Sequence, residues 1–421
     1  MDMPRKLIVG YDLGEDVSQI SCFSQKTSEP ITIGPKEGDE HYLIPTVICV
    51  RKDTRLWLCG NEAEACARKG DGEAVDHLLE KVRRGEEIEV LGQNFTAISL
   101  LEKFLRKSLM LIKNYFPTEP ITKLVITLRE TEPVIVDGIY HALDMIGIGK
   151  DRAMVISHTG AYLYYVLNQD RSQWMNDVGL FDFNETGFYY YQMNINRRTK
   201  PMIAGVTKRE FTDTLNCTMI NRKDLNLSYT LENIVNTILY RQSISTLYFT
   251  GNGFEGGWAE GVLKKLCAGR RVFLGQNLYT KGACYAAKEM SGDQTLSDYV
   301  LLNDDMIQAS VGLKVYCDAM VKEVLLTEAA LPWYEVNSSI EVIPEEEAEL
   351  EIIIKNIMTR EIIREKITIK PLPERPKRMT RLEIKLTFIN RTSAKITITD
   401  LGFGDFYKST EQTWEYTFDI V

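Results

Sequence analysis

The run Leu7-Ile8-Val9-Gly10-Tyr11-Asp12-Leu13-Gly14 carries an apolar strand straight into Gly-x-Asp-x-Gly. Residues of these types at this spacing suit one chemistry, the holding of a phosphate and its metal. Glycines such as Gly10 and Gly14 let the backbone take positive φ and approach a ligand closely. Successive N–H groups in such a turn cradle an anion, and a carboxylate such as Asp12 can hold a hydrated Mg²⁺ beside it. A strand that merely ends in an Asp/Gly turn has the same pattern, so the motif gains weight only from what accompanies it.

It is repeated. Val178-Gly179-Leu180-Phe181-Asp182-Phe183-Asn184-Glu185-Thr186-Gly187 again drives a strand into an aspartate and a polar turn, and Phe188 to Met193 returns as a strand. Thr246 to Thr250 enters a glycine turn of Gly251, Asn252 and Gly253, with Gly256 and Gly257 behind it. Between these runs, Leu124 to Leu128 reads as a buried strand followed by a helix through Asp137 to Ile146. Val155-Ile156-Ser157 leads into a helix from His158 to Leu167. Lys281-Gly282-Ala283-Cys284-Tyr285-Ala286-Ala287 reads as a small-residue helix, and Asp298-Tyr299-Val300-Leu301-Leu302-Asn303-Asp304 as a short link before Ser310-Val311-Gly312-Leu313.

This succession resembles the actin-like ATPase superfamily, and within it the DnaK-type heat-shock chaperones. The resemblance implies an α/β, two-lobed actin-like (ribonuclease H-like) ATPase fold followed by a C-terminal antiparallel β-sandwich. Lobe I would occupy 1–177, lobe II 178–297, a linker 298–304 with Val300, Leu301 and Leu302, and the β-sandwich 305–421, without the chaperones' helical lid. It also implies site roles. Asp12 and Asp182 are the paired catalytic, Mg²⁺-holding aspartates, with Mg²⁺ bound only if nucleotide is. Lys81 stands near the place of the family's catalytic lysine. Gly10, Gly14, Gly187, Gly251, Asn252, Gly253, Gly256 and Gly257 face ATP or ADP. The implied partner is a protein or extended peptide, served in the family by a cochaperone.

The departures from the family pattern are specific. Glu15 and Asp16 stand where small hydroxyl residues would face the phosphates, and Phe183-Asn184-Glu185-Thr186 replaces the second loop's glycines, with Gly187 one place late. Like charges a few ångströms apart cost on the order of a kcal/mol or more at intermediate dielectric. The expectation is therefore a binding protein with a degenerate cleft, a pseudo-ATPase in which nucleotide hydrolysis is weak or lost and ATP or ADP with Mg²⁺ is at most an occasional ligand. The alternatives are an active ATPase coupling hydrolysis to partner binding, and an actin-like assembly protein.

Composition sets the outer limits. The chain has 421 residues, 44% apolar, and a net charge of −9, enough for two or three domains at roughly 100–200 residues each. No long basic block exists, which disfavours nucleic acid as a partner; Arg375, Lys377, Arg378 and Arg381 read as a solvated loop and strand edge. No apolar run reaches the ~20 residues that span a bilayer, and no signal-peptide core follows Met1 to Arg5, so no membrane and a cytoplasmic location are expected. The eight cysteines lack a Cys-x-x-Cys pair and read as free thiols.

Strands are expected at 6–13, 17–23, 30–33, 46–50, 56–59, 123–128 and 153–156, and helices near 61–69, 73–83, 95–115, 132–147 and 158–168. Leu100, Leu101, Phe104, Leu105, Leu109 and Ile112 recur at helical spacing. After residue 303 the period changes to two, as in Leu382, Ile384, Leu386 and Phe388, the pattern of half-buried antiparallel strands. Strands are expected there at 352–354, 362–369, 382–389 and 394–399, with Asn390 to Ser393 as a turn and Glu345-Glu346-Glu347 as a solvated one.

Overall fold

The structure, a computed structural model, describes residues 7–34, 42–220, 222, 224–317, 319–344 and 349–420. Lys6 and the Glu345-Glu346-Glu347 run lie outside the described residues. The chain divides into two compact units, residues 1–299 and 300–421.

The first unit opens with β1 (Leu7–Leu13), β2 (Val17–Ser24) and β3 (Glu29–Ile33), an antiparallel meander. An outer layer follows. After β4 (Ile44–Pro45), which still pairs with β2 of the first sheet, it contains β5 (Ile48–Arg51), β6 (Trp57–Cys59), α1 (Gly60–Arg68), β7 (Gly72–Val75), α2 (Leu78–Arg84) and the hairpin β8 (Glu87–Val90) and β9 (Gln93–Thr96). Then comes α3 (Ala97–Met110), whose Leu100, Leu101, Phe104, Leu105 and Leu109 are buried while Thr96 caps the Ser99 N–H. The chain returns to the sheet as β10 (Ile121–Leu128), crosses through α4 (Pro133–Met145) to β11 (Ala153–Ser157), and continues as α5 (His158–Leu167). Pro133 stands at the first turn of α4, where its missing N–H has no partner to lose. The sheet order is β11-β10-β1-β2-β3, with β10 and β11 parallel to β1.

The same plan is then repeated. β12 (Asp177–Asn184), β13 (Gly187–Asn196) and β14 (Met202–Glu210) form an antiparallel meander; α6 (Leu227–Leu239) leads to β15 (Ile244–Thr250), and α7 (Glu260–Leu266) to β16 (Arg271–Leu274). The order β16-β15-β12-β13-β14, with β15 and β16 parallel to β12, repeats the β11-β10-β1-β2-β3 order of five of the six strands in the first sheet.

One helix breaks the symmetry. α8 (Leu278–Lys288) follows the second sheet in sequence but packs on β1 of the first. A Cβ at Gly10 would lie 2.2 Å from the Cys284 nitrogen and 2.4 Å from the Thr280 carbonyl, so the bare glycine is what admits the helix. Gly282 does the same for α5, since a Cβ there would lie 2.0 Å from the Ala161 carbonyl.

β17 (Tyr299–Leu302) spans the division between the units. The second unit then builds β18 (Ala309–Cys317), β19 (Met320–Thr327), β20 (Asn337–Val342), β21 (Glu349–Asn356), β22 (Ile362–Thr368), β23 (Arg381–Phe388), β24 (Ser393–Gly402) and β25 (Thr413–Asp419). They form two antiparallel sheets, β19-β18-β21-β22 and β20-β23-β24-β25. Val311, Leu313, Ile352 and Ile354 from the first share one core with Leu382, Ile384, Leu386, Ile396 and Ile398 from the second. Alternation thus does here what the sequence pattern requires of a half-buried strand. The Asn390 side chain accepts from the Thr392 and Ser393 N–H groups and forms the turn between β23 and β24.

Candidate functional site

Asp12 and Asp182 hold equivalent places, each the sixth residue of its sheet's central strand. Asp12 stands opposite Thr127 on its parallel neighbour, and Asp182 opposite Thr250 on its own. Both therefore emerge at the carboxyl ends of parallel strands, where open α/β sheets gather ligands.

The structure connects them through side chains that the sequence reading did not single out. His158, the first residue of α5, donates from Nε2 to Asp12 Oδ1 at 2.8 Å. Its ring stacks on Tyr279, with centroids 3.8 Å apart and planes 12° from parallel. The Tyr279 hydroxyl donates to Asp182 Oδ2 at 2.8 Å. Asn184 donates to Asp182 Oδ1 at 2.7 Å, and Arg129, just past β10, reaches Oδ2 at 3.4 Å. Asp182 is buried, with both oxygens engaged by protein donors. Burial, and then the Asp182 charge, pushes the Tyr279 hydroxyl far above its ordinary range, so it acts as a donor. Burial works against the Arg129 charge, yet Asp182, Tyr279, Tyr191 and Asp12 together hold its guanidinium above the usual range. A fixed cation and a stacked ring pair thus lie between the aspartates.

Asp12 is less enclosed. Gln19 and Thr127 flank it directly across the sheet, so all three side chains share a face. Gln19 Oε1, Thr127 Oγ1 and His158 Nδ1 are buried with no protein partner. Polar atoms left this way are the usual seats of internal water.

The other sequence-predicted residues are dispersed. Gly10 lies within β1 beneath α8, where its missing side chain serves helix packing. Gly14 closes the β1–β2 turn, its Cβ position 2.3 Å from the Val17 carbonyl. Gly187, at φ 152°, pairs with Asn184 across the β12–β13 turn, and a Cβ there would strike Thr212. Gly251 and Gly253 wrap Phe183: a Cβ on the first would lie 2.0 Å from the Phe183 carbonyl, and on the second 2.5 Å from its ring. Asn252 donates to Glu185 at 3.4 Å, which joins this turn to the β12–β13 turn. Gly256 and Gly257 adopt φ of 82° and 74°, and only Gly256 faces open space. Lys81 donates to the Asp76 carbonyl at 2.8 Å and lies 3.7 Å from its carboxylate; the cation at the aspartates is Arg129. Glu15 accepts from the Glu80 N–H at 3.2 Å, with His77 Nδ1 3.8 Å away, and burial raises its carboxyl above the usual range. Asp16 is exposed. Val300, Leu301 and Leu302 lie in β17, with Leu302 buried. Of the basic cluster, Arg375 is not solvated: it forms a buried two-pronged pair with Asp400 at 2.7 Å.

One signal pointed to the residues that sequence reading missed. Arg129 and His158 directly follow two strands that the pattern identified, on the side where Asp12 emerges. Tyr279 carried no local signal, because only the crossing of α8 brings it in.

The chain belongs to the family of unknown function DUF5716 (C-terminal), whose model matches residues 29–304. Residues 306–420 match the domain of unknown function DUF8552. No curated protein matches the chain. The first match includes Arg129, His158, Asp182 and Tyr279 and begins after Asp12. The helices of the described residues include none long and apolar enough to cross a membrane.

Proposed function

We propose that residues 1–299 form an actin-like, ribonuclease H-like nucleotide cleft that has lost its catalytic role. On this reading the chain acts as a DnaK-type binding protein that holds an extended peptide or protein partner on its C-terminal sheets. The observation that carries the reading is the fate of the two aspartates. They occupy matching places in two sheets of matching order, as the two halves of an actin-like ATPase would, yet they are joined by His158, Tyr279 and Arg129.

The residues present do not fit Mg²⁺ and a triphosphate. Both Asp182 oxygens already accept from protein donors, and Arg129 supplies the neutralising charge a metal would bring. Gly10, Gly251 and Gly253 are packed against protein instead of being open to a ligand. Phosphoryl transfer depends on positioning and electrostatic stabilisation by such parts, and here they are committed elsewhere. For the partner, support comes from β19, an edge strand with Met320, Val321 and Leu325 exposed. An open edge offers backbone groups that an extended segment can pair with.

A second reading, the active ATPase, is favoured by one feature, the unpartnered polar atoms around Asp12. The two separate in a single experiment. Calorimetric titration with ATP and ADP, with and without Mg²⁺, is paired with steady-state phosphate release, using Asp12→Ala as control. Release at background in wild type and variant alike supports the binding protein. Release that Asp12→Ala abolishes establishes the ATPase.

A further inference from the structure

The eight cysteines are all free, and their spacing in sequence pairs none of them. The fold brings two together. Cys49 lies on β5 and Cys66 on α1, in a small cluster with Val47 and Ala63 apart from the main cores. Both thiols converge on Gly72 of β7. A Cβ at that position would lie 2.4 Å from Cys49 Sγ and 2.8 Å from Cys66 Sγ. The two sulfurs are therefore held side by side over a residue that leaves room for them. Disulfide formation needs Cβ atoms roughly 3.5–4.5 Å apart. Cys49 is wholly buried, whereas Cys66 keeps 7% exposure.

We propose that Cys49 and Cys66 form a peroxide-responsive dithiol that closes reversibly into a disulfide between β5 and α1. The Cys66 sulfur, as thiolate, attacks one oxygen of a hydroperoxide. The O–O bond breaks, Cys66 becomes a sulfenic acid, and the other oxygen leaves as water or alcohol after taking up a proton. The Cys49 sulfur then attacks the Cys66 sulfur. The S–O bond breaks, and the hydroxide leaves as water with the Cys49 proton. Two electrons have passed from the sulfurs to the peroxide, and a small dithiol returns them. The order of events follows from environment. Cys49 is fully enclosed, whereas Cys66 keeps the small exposure through which an oxidant reaches the pair first. This inference is independent of the proposed function, since neither thiol belongs to the aspartate site.

The test treats the folded chain with hydrogen peroxide, blocks remaining thiols with an alkylating agent, and maps the peptides by mass spectrometry. The expected result is one linked Cys49–Cys66 peptide, two fewer free thiols, and their return with dithiothreitol. In Cys49→Ser, which lacks the resolving sulfur, Cys66 should accumulate as sulfenic acid and be trapped by dimedone. The proposal is overturned if all eight thiols survive, if the link joins other cysteines such as the fully buried Cys22 and Cys284, or if it forms only in denaturant. It is equally overturned if the variant yields no adduct at Cys66.

Discussion

Replacing Asp182 by alanine should destabilise the first unit by about 3–4 kcal/mol. The carboxylate is buried and accepts from Asn184 at 2.7 Å and Tyr279 at 2.8 Å. Hydrogen bonds to a charged group contribute about 1.5–3 kcal/mol each, and a buried donor left unsatisfied costs about 1–3 kcal/mol. The Tyr279 hydroxyl would be such a donor. Arg129 adds little to this sum, because its side chain is 32% exposed and water can replace the carboxylate at 3.4 Å. The terms overlap, which brings the total below their sum. At roughly 2–4 °C per kcal/mol for large domains, the transition of this unit should fall by about 6–16 °C in differential scanning calorimetry. Tyr279→Phe, which removes one donor and leaves the carboxylate with its other partners, should fall by less than half as much. The reasoning fails if Asp182→Ala melts at or above wild type. A carboxylate held ready for a ligand is a burden in the free protein, and its removal stabilises; a carboxylate that closes an internal network does the opposite.

Glu15→Gln should raise the melting temperature at neutral pH. Burial raises the Glu15 carboxyl in the folded state, so the folded chain holds that proton more tightly than the unfolded one, and stability is lost as pH rises from about 4.3 through the folded value; the gain of the variant should vanish as pH falls below that window. Replacing Glu15 and Asp16 together by threonine should strengthen ATP binding in calorimetry more than it changes the melting temperature, and equal affinity would remove these carboxylates as the cause of weak binding. Asp400→Ala leaves Arg375 buried without its partner and strips the acceptor of the Gly402 and Thr410 N–H groups. It should cost about 3–5 kcal/mol, read as loss of the second unit's transition in urea. Gly282→Ala forces a methyl group against the Ala161 carbonyl and should cost about 1–3 kcal/mol, seen as a lower denaturant midpoint with unchanged slope.

The parts legible in sequence were those with a local period or a local turn. β1, β12 and the alternating β23 declared themselves through apolar runs and spacing, and α3 through its helical stripe. The segment 73–83 did not. Its pattern suggests one helix, but Gly72–Val75 is a strand, formed because it pairs with β5, and α2 starts only at Leu78. The β8–β9 hairpin was missed, although Glu-Ile-Glu-Val alternates and Gly92 marks its turn. Of the site, the two aspartates were visible as strand ends. Their partners were not, because Asp12 and His158 are 146 residues apart and Asp182 and Tyr279 97 apart. Gly10 reads in the sequence as a place where a nucleotide's phosphates approach the backbone, whereas the structure packs a helix of the same chain against it.

That approach also orders events in time. The sheet built from β1, β2, β3, β10 and β11 is complete in sequence at Ser157, yet the helix that covers β1 ends at Lys288. Thr280 binds the Gly10 carbonyl and Cys284 the Ile8 carbonyl across that span. At about 5–20 residues per second of synthesis, the growing chain carries the naked face of its first sheet for on the order of ten seconds before its cover emerges. During that interval the nascent chain is itself a client for whatever shields apolar surfaces at the ribosome, and a fragment cut after residue 177 would stay in that condition permanently.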